Sequence, residues 1–172
     1  MITPDLPVIE GALSAFIDGG AVAELQELLE RCEDFEVLVT GHPPDPRAAA
    51  DLLLEVPPDH PLRDKFVIGI WTDQGLTAAI DLMRDFPRPR VWYLGLLLLT
   101  PEARGSGFGA RIVAALKPWI VSQDGRAIRL AVQDQNPGAL RFWTRMGFAP
   151  VGTATQELMD RANQVTLMEL TL

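Results

Sequence analysis

The chain has 172 residues, 48% of them apolar, a formal charge of −8 and a single cysteine. That is enough for one core but not for two full domains. It leaves no disulfide framework, and two histidines with one thiol make no zinc spacing, so no metal is expected. The acidity disfavours nucleic acid, whose phosphates call for a basic face, and mildly favours a cationic partner. With no basic-then-apolar leader and no apolar run of membrane-spanning length, a cytoplasmic protein without a membrane partner is expected.

In chain order, Val8 to Phe16 reads as an initial strand before the turn at Asp18, Gly19 and Gly20. Within Ala21 to Arg31, Val22, Leu25, Leu28 and Leu29 recur at helical spacing, with Glu24, Gln26, Glu27 and Glu30 between them, which predicts an amphipathic helix. Phe35 to Val39 fits either an extension of that helix or a short strand, because periodicity does not separate the two. Prolines 43, 44 and 46 form a rigid turn, and a second helix over Arg47 to Glu55 stops at Pro57 and Pro58. From Lys65 the pattern changes: Phe66 to Trp71 and Leu76 to Arg84 flank a short polar turn and predict an antiparallel hairpin.

A proline-rich turn, Asp85 to Arg90, leads into Val91 to Leu99, a nearly unbroken apolar run suited to a central strand covered on both faces. After the glycine-rich segment, Ile112, Val113, Leu116, Trp119 and Ile120 mark the inner face of a helix that Pro118 should bend. Ala127 to Val132 is a strand joined to the central one by a helical crossover, hence parallel to it. Asn136 as N-cap, Pro137 at the first position and Gly147 as the stop bracket another helix. Two closing strands fall within Phe148 to Thr155 and Gln164 to Leu172.

The chemically suggestive stretch is Arg104, Gly105, Ser106, Gly107, Phe108, Gly109 and Ala110, between the central strand and its helix. The first turn of a helix carries unpaired N–H groups and a partial positive charge, and glycines let several such groups approach a pyrophosphate closely. Arg104 would add a fixed charge. A Walker loop is excluded, since no Gly-Lys-Ser/Thr follows. The dinucleotide fingerprint G-x-G-x-x-A is met literally from Gly105 to Ala110, with Asp134 at the end of the next strand. Against it, Thr100 to Arg104 intervene between strand and loop, and too little chain follows for a doubly wound sheet.

Leu97-x-Leu99-x-Pro101-x-x-Arg104-Gly-x-Gly107-x-Gly109 resembles the acetyl-CoA motif of the GNAT acyltransferases, R/Q-x-x-G-x-G/A, and the run from Asn136 through Ala139, Phe142 and Trp143 to Gly147 and Phe148 resembles that family's later N-x-x-A-x-x-x-Y-x-x-x-G-F segment. The resemblance implies an α/β chain of α+β type: a single GNAT-like domain over residues 1–172, with a twisted, mixed, mostly antiparallel sheet of six to seven strands. About four helices would cover its faces, and two central parallel strands would be splayed. It implies acetyl-CoA as co-substrate, its pantetheine arm bonded by the main chain of Leu97, Leu98 and Leu99. The pyrophosphate would lie on Arg104 to Ala110, with Asn136, Ala139 and Phe142 alongside.

The reaction implied is direct transfer of acetyl to a primary amine, on a small cationic molecule or a peptide, without an acyl-enzyme. Such an amine is protonated below a pKa of about 10.4, so a base or a water chain must take its proton. The oxyanion would need a main-chain N–H, which the resemblance puts near Leu99. Relatives often carry an acid on the central strand; here there is none. Asp81, alone among apolar neighbours, is the candidate base or amine-binding group, set against a solvent-facing aspartate or a buried partner for an arginine. Where relatives often have a tyrosine that protonates the departing thiolate stands Trp143, which is no acid; Tyr93 lies early on the central strand. His42, His60, Asp45, Glu55 and Cys32 are read as ordinary surface or core residues. An acyl-CoA-binding module without turnover is the alternative, a dinucleotide-binding domain the third reading. The residues specify neither the acceptor nor whether the chain forms a homodimer.

Overall fold

The computed structural model describes residues 5–172; residues 1–4 of the expected domain span lie outside the described residues. Among these described residues seven strands form one sheet in the order β1-β2-β3-β4-β5-β7-β6, with β1 at Leu13–Phe16, β2 at Lys65–Thr72, β3 at Gly75–Arg84, β4 at Val91–Leu99, β5 at Ala127–Gln133, β6 at Ala149–Leu158 and β7 at Arg161–Thr171. Every pairing is antiparallel except β4 with β5. One parallel pair is not a doubly wound sheet, which removes the dinucleotide-domain reading.

Among the described residues five α-helices, rather than about four, accompany the sheet: α1 Val22–Arg31, α2 Glu33–Thr40, α3 Ala48–Leu54, α4 Phe108–Ser122 and α5 Pro137–Arg145. The extra one resolves Phe35 to Val39 as helix. The chain breaks at Cys32, whose N–H still reaches back to the Leu28 and Leu29 carbonyls, and α2 ends at Gly41 in the left-handed region (φ +85°). The initial strand is shorter than expected, because Gly11 (φ +75°) and a turn from Ala12 N–H to Ile9 O break the extended chain before Leu13. The closing hairpin is longer than expected, its strands meeting at a Leu158–Arg161 rung. α4 continues through Pro118 to Ser122, where the proline leaves one carbonyl without its donor.

Burial divides the chain into two cores, one on each face of the sheet. On one face α4 and α5 pack Ile112, Leu116, Trp119, Ile120 and Trp143 against Ile68, Ile80, Leu82, Trp92, Ile128 and Met168. On the other, α1 to α3 set Leu25, Leu28, Cys32 and Ala49 against Val67, Ala79 and Leu98. Apolar residues at both odd and even positions of β3 and β4 follow from this two-sided cover.

The connection from α4 to β5 is tight. Gly125 N–H donates to Ile120 O at 2.9 Å and Arg126 N–H to Arg90 O at 2.8 Å, which sets the start of β5 beside β4. A Cβ on Gly125 would collide with the Ile120 side chain and lie 2.9 Å from Ile120 O and 2.8 Å from Trp92 Cδ1. Gly125→Ala is therefore expected to destabilise the protein by about 1–3 kcal/mol through overpacking, read as a lowered midpoint in thermal or urea denaturation; an unchanged midpoint would contradict this packing.

Candidate active site

The sheet opens at its centre. β4 and β5 pair only at Val91–Ala127, Trp92–Ile128 and Tyr93–Arg129. Beyond that rung β5 stays with β7 as far as Gln133–Val165, and β4 stays with β3 as far as Leu99–Ala78. The strands therefore part in a V whose apex lies just past Tyr93. A bulge in β4 sits at that apex: Asp81 opposes Leu96 and Leu82 opposes Leu94, leaving Gly95 as the extra residue.

The parting leaves main-chain groups without a ladder. Thr100 N–H donates to Thr77 O at 2.9 Å. Because such groups alternate in direction along a strand, those of Leu98 face β3, while those of Leu97 and Leu99 face the edge that β5 has left. The Leu99 carbonyl accepts from Arg104 Nε (3.1 Å) and Cys32 Sγ (3.3 Å). Of the three leucines expected along a pantetheine arm, Leu97 and Leu99 thus turn main chain toward the cleft, and Leu98 fills the α1 to α3 core with its side chain.

At the mouth of the V lies the glycine-rich loop. Gly105 (φ +72°) and Gly107 (φ +84°) both adopt a conformation that a Cβ would strain, and Gly107 caps α4. Ser106 Oγ donates to Ala103 O (2.6 Å) and accepts from Phe108 N–H (3.3 Å). The N–H groups of Gly105, Gly107, Gly109 and Ala110 donate to no described residue, so loop and helix dipole present free donors at one place. Gly109 differs from these two: its φ is ordinary, and a Cβ there would make van der Waals contact with Phe142 Cζ at 3.4 Å and Leu99 Cδ2 at 3.7 Å. That contact brings α5 against α4 and the end of β4, close to Ala139, whose N–H donates to Asn136 Oδ1 at 3.1 Å. The expected cap at Asn136 is present.

Arg104 is engaged elsewhere than in an open anion site. Its guanidinium pairs with both Asp34 oxygens (2.5 and 3.1 Å), tying the loop to α2. That hydrogen-bonded pair holds the Asp34 carboxyl below its ordinary pKa and the guanidinium above its own. In the structure it is the main chain of the loop that remains available to an anion.

Asp81 lies on the α1 to α3 face beside the bulge. Its Oδ1 is 2.8 Å from Lys65 Nζ, and both side chains are nearly enclosed, 15% and 3% exposed. Burial pushes the Asp81 pKa up, against the attraction of Lys65, and the nearby Glu55 charge adds to the rise. The structural partner is thus a lysine and not an arginine. Tyr93 is also raised by burial and meets Phe86 edge to face at 5.5 Å. Trp143 is 9% exposed between Phe142 and Phe148, a core residue. His60 bonds the Arg84 carbonyl at 2.9 Å, and His42 lies 3.7 Å from Asp160 on the surface.

Sequence reasoning missed Lys65, Gly95 and the Asp34–Arg104 pair. The hairpin register carried a signal for Lys65, but a shift between Ile70 and Trp71 moves it by one residue. Counted back from the turn without that shift, Lys65 would fall on the opposite face from Asp81.

A parallel pair opened at the sheet centre, with an amide-lined loop at its mouth, is the arrangement that the resemblance implies, and the family match makes the chain an acyltransferase that moves groups other than aminoacyl. The model of the Acetyltransferase (GNAT) family matches residues 23–148, and the chain belongs to that family, which uses acetyl-CoA. Solved structures share the fold. An acetyltransferase from Thermus thermophilus superposes with a TM-score of 0.73 at 20% identity, over 95% of this chain and 99% of that one. Spermidine N-acetyltransferase from Vibrio cholerae, in complex with CoA and spermine, gives 0.70 at 18% identity over 94% and 95%. The ribosomal-protein-S18-alanine N-acetyltransferase of Escherichia coli gives 0.69 at 11% identity over 93% of each chain. No curated protein matches the sequence.

Cys32, the only thiol, is 1% exposed, and burial raises its pKa above 9.0 despite the neighbouring Arg104. It is a poor nucleophile in the fold. Iodoacetamide at pH 8 is expected to label it at least about tenfold more slowly in native than in urea-unfolded protein; equal rates would contradict the buried, protonated thiol.

Proposed function

We propose that residues 1–172 form one N-acetyltransferase unit that moves acetyl from acetyl-CoA to a primary amine, by direct attack within a ternary complex. The observation that carries this reading is the coincidence of two sets of main-chain groups at one cleft between β4 and β5: those of Leu97 and the Leu99 N–H on the open edge of β4, and the free N–H groups of Gly105, Gly107, Gly109 and Ala110 in the loop. The first suits the amide-bearing pantetheine arm as a neighbouring strand would, and the second suits the diphosphate. Asn136, Ala139 and Phe142 flank the arm. An amine acceptor, a small cation or a peptide amino group, agrees with the net charge of −8 and with the amines that the V. cholerae and E. coli enzymes are named for. A lone buried cysteine suits the reducing cytoplasm.

In this reading the Asp81 carboxylate, whose raised pKa makes it a better base than an exposed aspartate, first takes a proton from the bound ammonium, directly or through water; the neutral amine nitrogen then attacks the thioester carbon and a C–N bond forms. The oxyanion is met by a main-chain N–H on the open edge of β4, with Leu97 the nearest along the strand to Asp81. As the C–S bond breaks, the second proton of the attacking nitrogen passes to water, leaving the neutral amide. CoA leaves as thiolate and takes its proton from water, since indole at Trp143 has none to give.

Calorimetry with acetyl-CoA is expected to give saturable heat, and a panel of amines to give amine-dependent thiol release. Gly107→Ala, strained by about 1–2 kcal/mol at its left-handed φ, should weaken acetyl-CoA binding roughly tenfold. Asp81→Asn should lower kcat by about a hundredfold with calorimetric affinity unchanged. Because Asp81 accepts a proton only when ionised, activity should fall on the acid side at a midpoint above the ordinary 3.8. Binding without release across the panel would instead identify an acyl-CoA-binding module, for which Trp143 in place of a tyrosine and the absence of an acid between Val91 and Thr100 are the arguments.

A further inference from the structure

Gly95 is the only glycine in β4, and the backbone does not require it. Its φ is not among the positive values found at Gly11, Gly41, Gly75, Gly105, Gly107 and Gly147, so an L-residue would fit its conformation. A glycine in the interior of a central strand also weakens that strand, since it orders more backbone and packs nothing. What a side chain would meet there is Asp81. A Cβ on Gly95 would lie 2.8 Å from Asp81 Oδ2, with Cγ of the same carboxylate next at 3.5 Å. The residue is nonetheless exposed, because it sits at the bulge where β5 has just turned away. The vacant side-chain position therefore connects the carboxylate of β3 to the apex of the cleft.

The other oxygen is fixed from behind. Lys65 Nζ, 2.8 Å from Oδ1, belongs to a side chain only 3% exposed. The approach is an ion-pair contact without hydrogen-bond alignment, since Oδ1 has no partner of that geometry, and the attraction between two enclosed charges draws this oxygen toward β2. One oxygen is thus clamped and the other faces the gap at Gly95.

We propose that the Gly95 bulge is a side-chain-free window through which the Asp81 carboxylate of the adjacent strand acts at the edge of β4, with Lys65 as the positioning residue that holds it. This rests on the reading of Asp81 as the proton acceptor. The groups facing Asp81 are Lys65 from β2, which favours its ionised form, and Glu55 beyond the end of α3, which opposes it. β4 adds no charged side chain; its Tyr93 phenol is kept neutral by burial.

Three variants test this with acetyl-CoA affinity, kcat and the pH profile read together. Gly95→Ala should lower kcat at least about tenfold by displacing the carboxylate, with calorimetric affinity for acetyl-CoA retained. Lys65→Met, which keeps an apolar stem, should move the acid limb of the pH–rate profile upward by about one unit or more, because an attraction that favours ionisation is gone; a purely structural ion pair would lower the melting temperature and leave that limb in place. The relocation variant Asp81→Ala with Gly95→Asp puts a carboxylate back into the same space from the other strand. It should recover at least about tenfold in kcat over Asp81→Ala alone.

The two levels fail separately. Undiminished turnover in Asp81→Asn would remove Asp81 as the base. An impaired Asp81→Asn together with Gly95→Ala and Lys65→Met of wild-type turnover and pH profile would overturn the window and the clamp while leaving the base assignment standing.

Discussion

The structure depends on a parallel pair that stops pairing. β4 and β5 share three rungs, Val91–Ala127 to Tyr93–Arg129, and then each remains with its outer neighbour. In an ordinary sheet an open edge at the centre is unfavourable, because every unpaired N–H or C=O withdrawn from water costs about 1–3 kcal/mol. Here the outer pairings hold the two halves apart: β5 is bonded to β7 along its whole length and β4 to β3, each half backed by its own helices. The edge is available to a ligand that presents amide groups as a strand does.

Around that opening the chain places its remaining polar features in a consistent order. The free N–H groups of the glycine-rich loop lie at the wide end of the V. The buried Asp81–Lys65 pair lies at the narrow end, beside the bulge, on the face that α1 to α3 cover. Between them, Arg104 and Cys32 meet at the Leu99 carbonyl, and Arg104 continues to Asp34 of α2. The glycine-rich loop and α2 are therefore mechanically joined through one guanidinium, a link that no residue of α2 signalled in the sequence.

Much of this was legible in the sequence because the relevant signals are local. The apolar run at β4, the crossover to β5, the cap at Asn136 and the glycine loop each follow from short-range chemistry, and the β2-β3-β4 meander with β5 parallel to β4 from the hairpin and crossover rules, whereas the place of β7 between β5 and β6 does not. What was not legible depends on register. The bulges at Gly95 and between Ile70 and Trp71 decide which side chains share a face, and a slip of one residue reverses every such assignment. Hence Asp81 was found as an unusual residue while its lysine partner and its glycine window were not. The shorter β1 has a similar origin, since the turn at Gly11 cuts a stretch whose composition reads as extended.

The most direct measurement is amide hydrogen exchange with and without acetyl-CoA, followed residue by residue. The expected result is slowed exchange at Leu97 and Leu99 on the open edge of β4 and at Gly105, Gly107, Gly109 and Ala110 in the loop, with Leu98, already bonded to β3, little changed. Protection that appears away from the β4 edge and the loop, or none at either under saturating ligand, would contradict main-chain recognition of the co-substrate in this cleft.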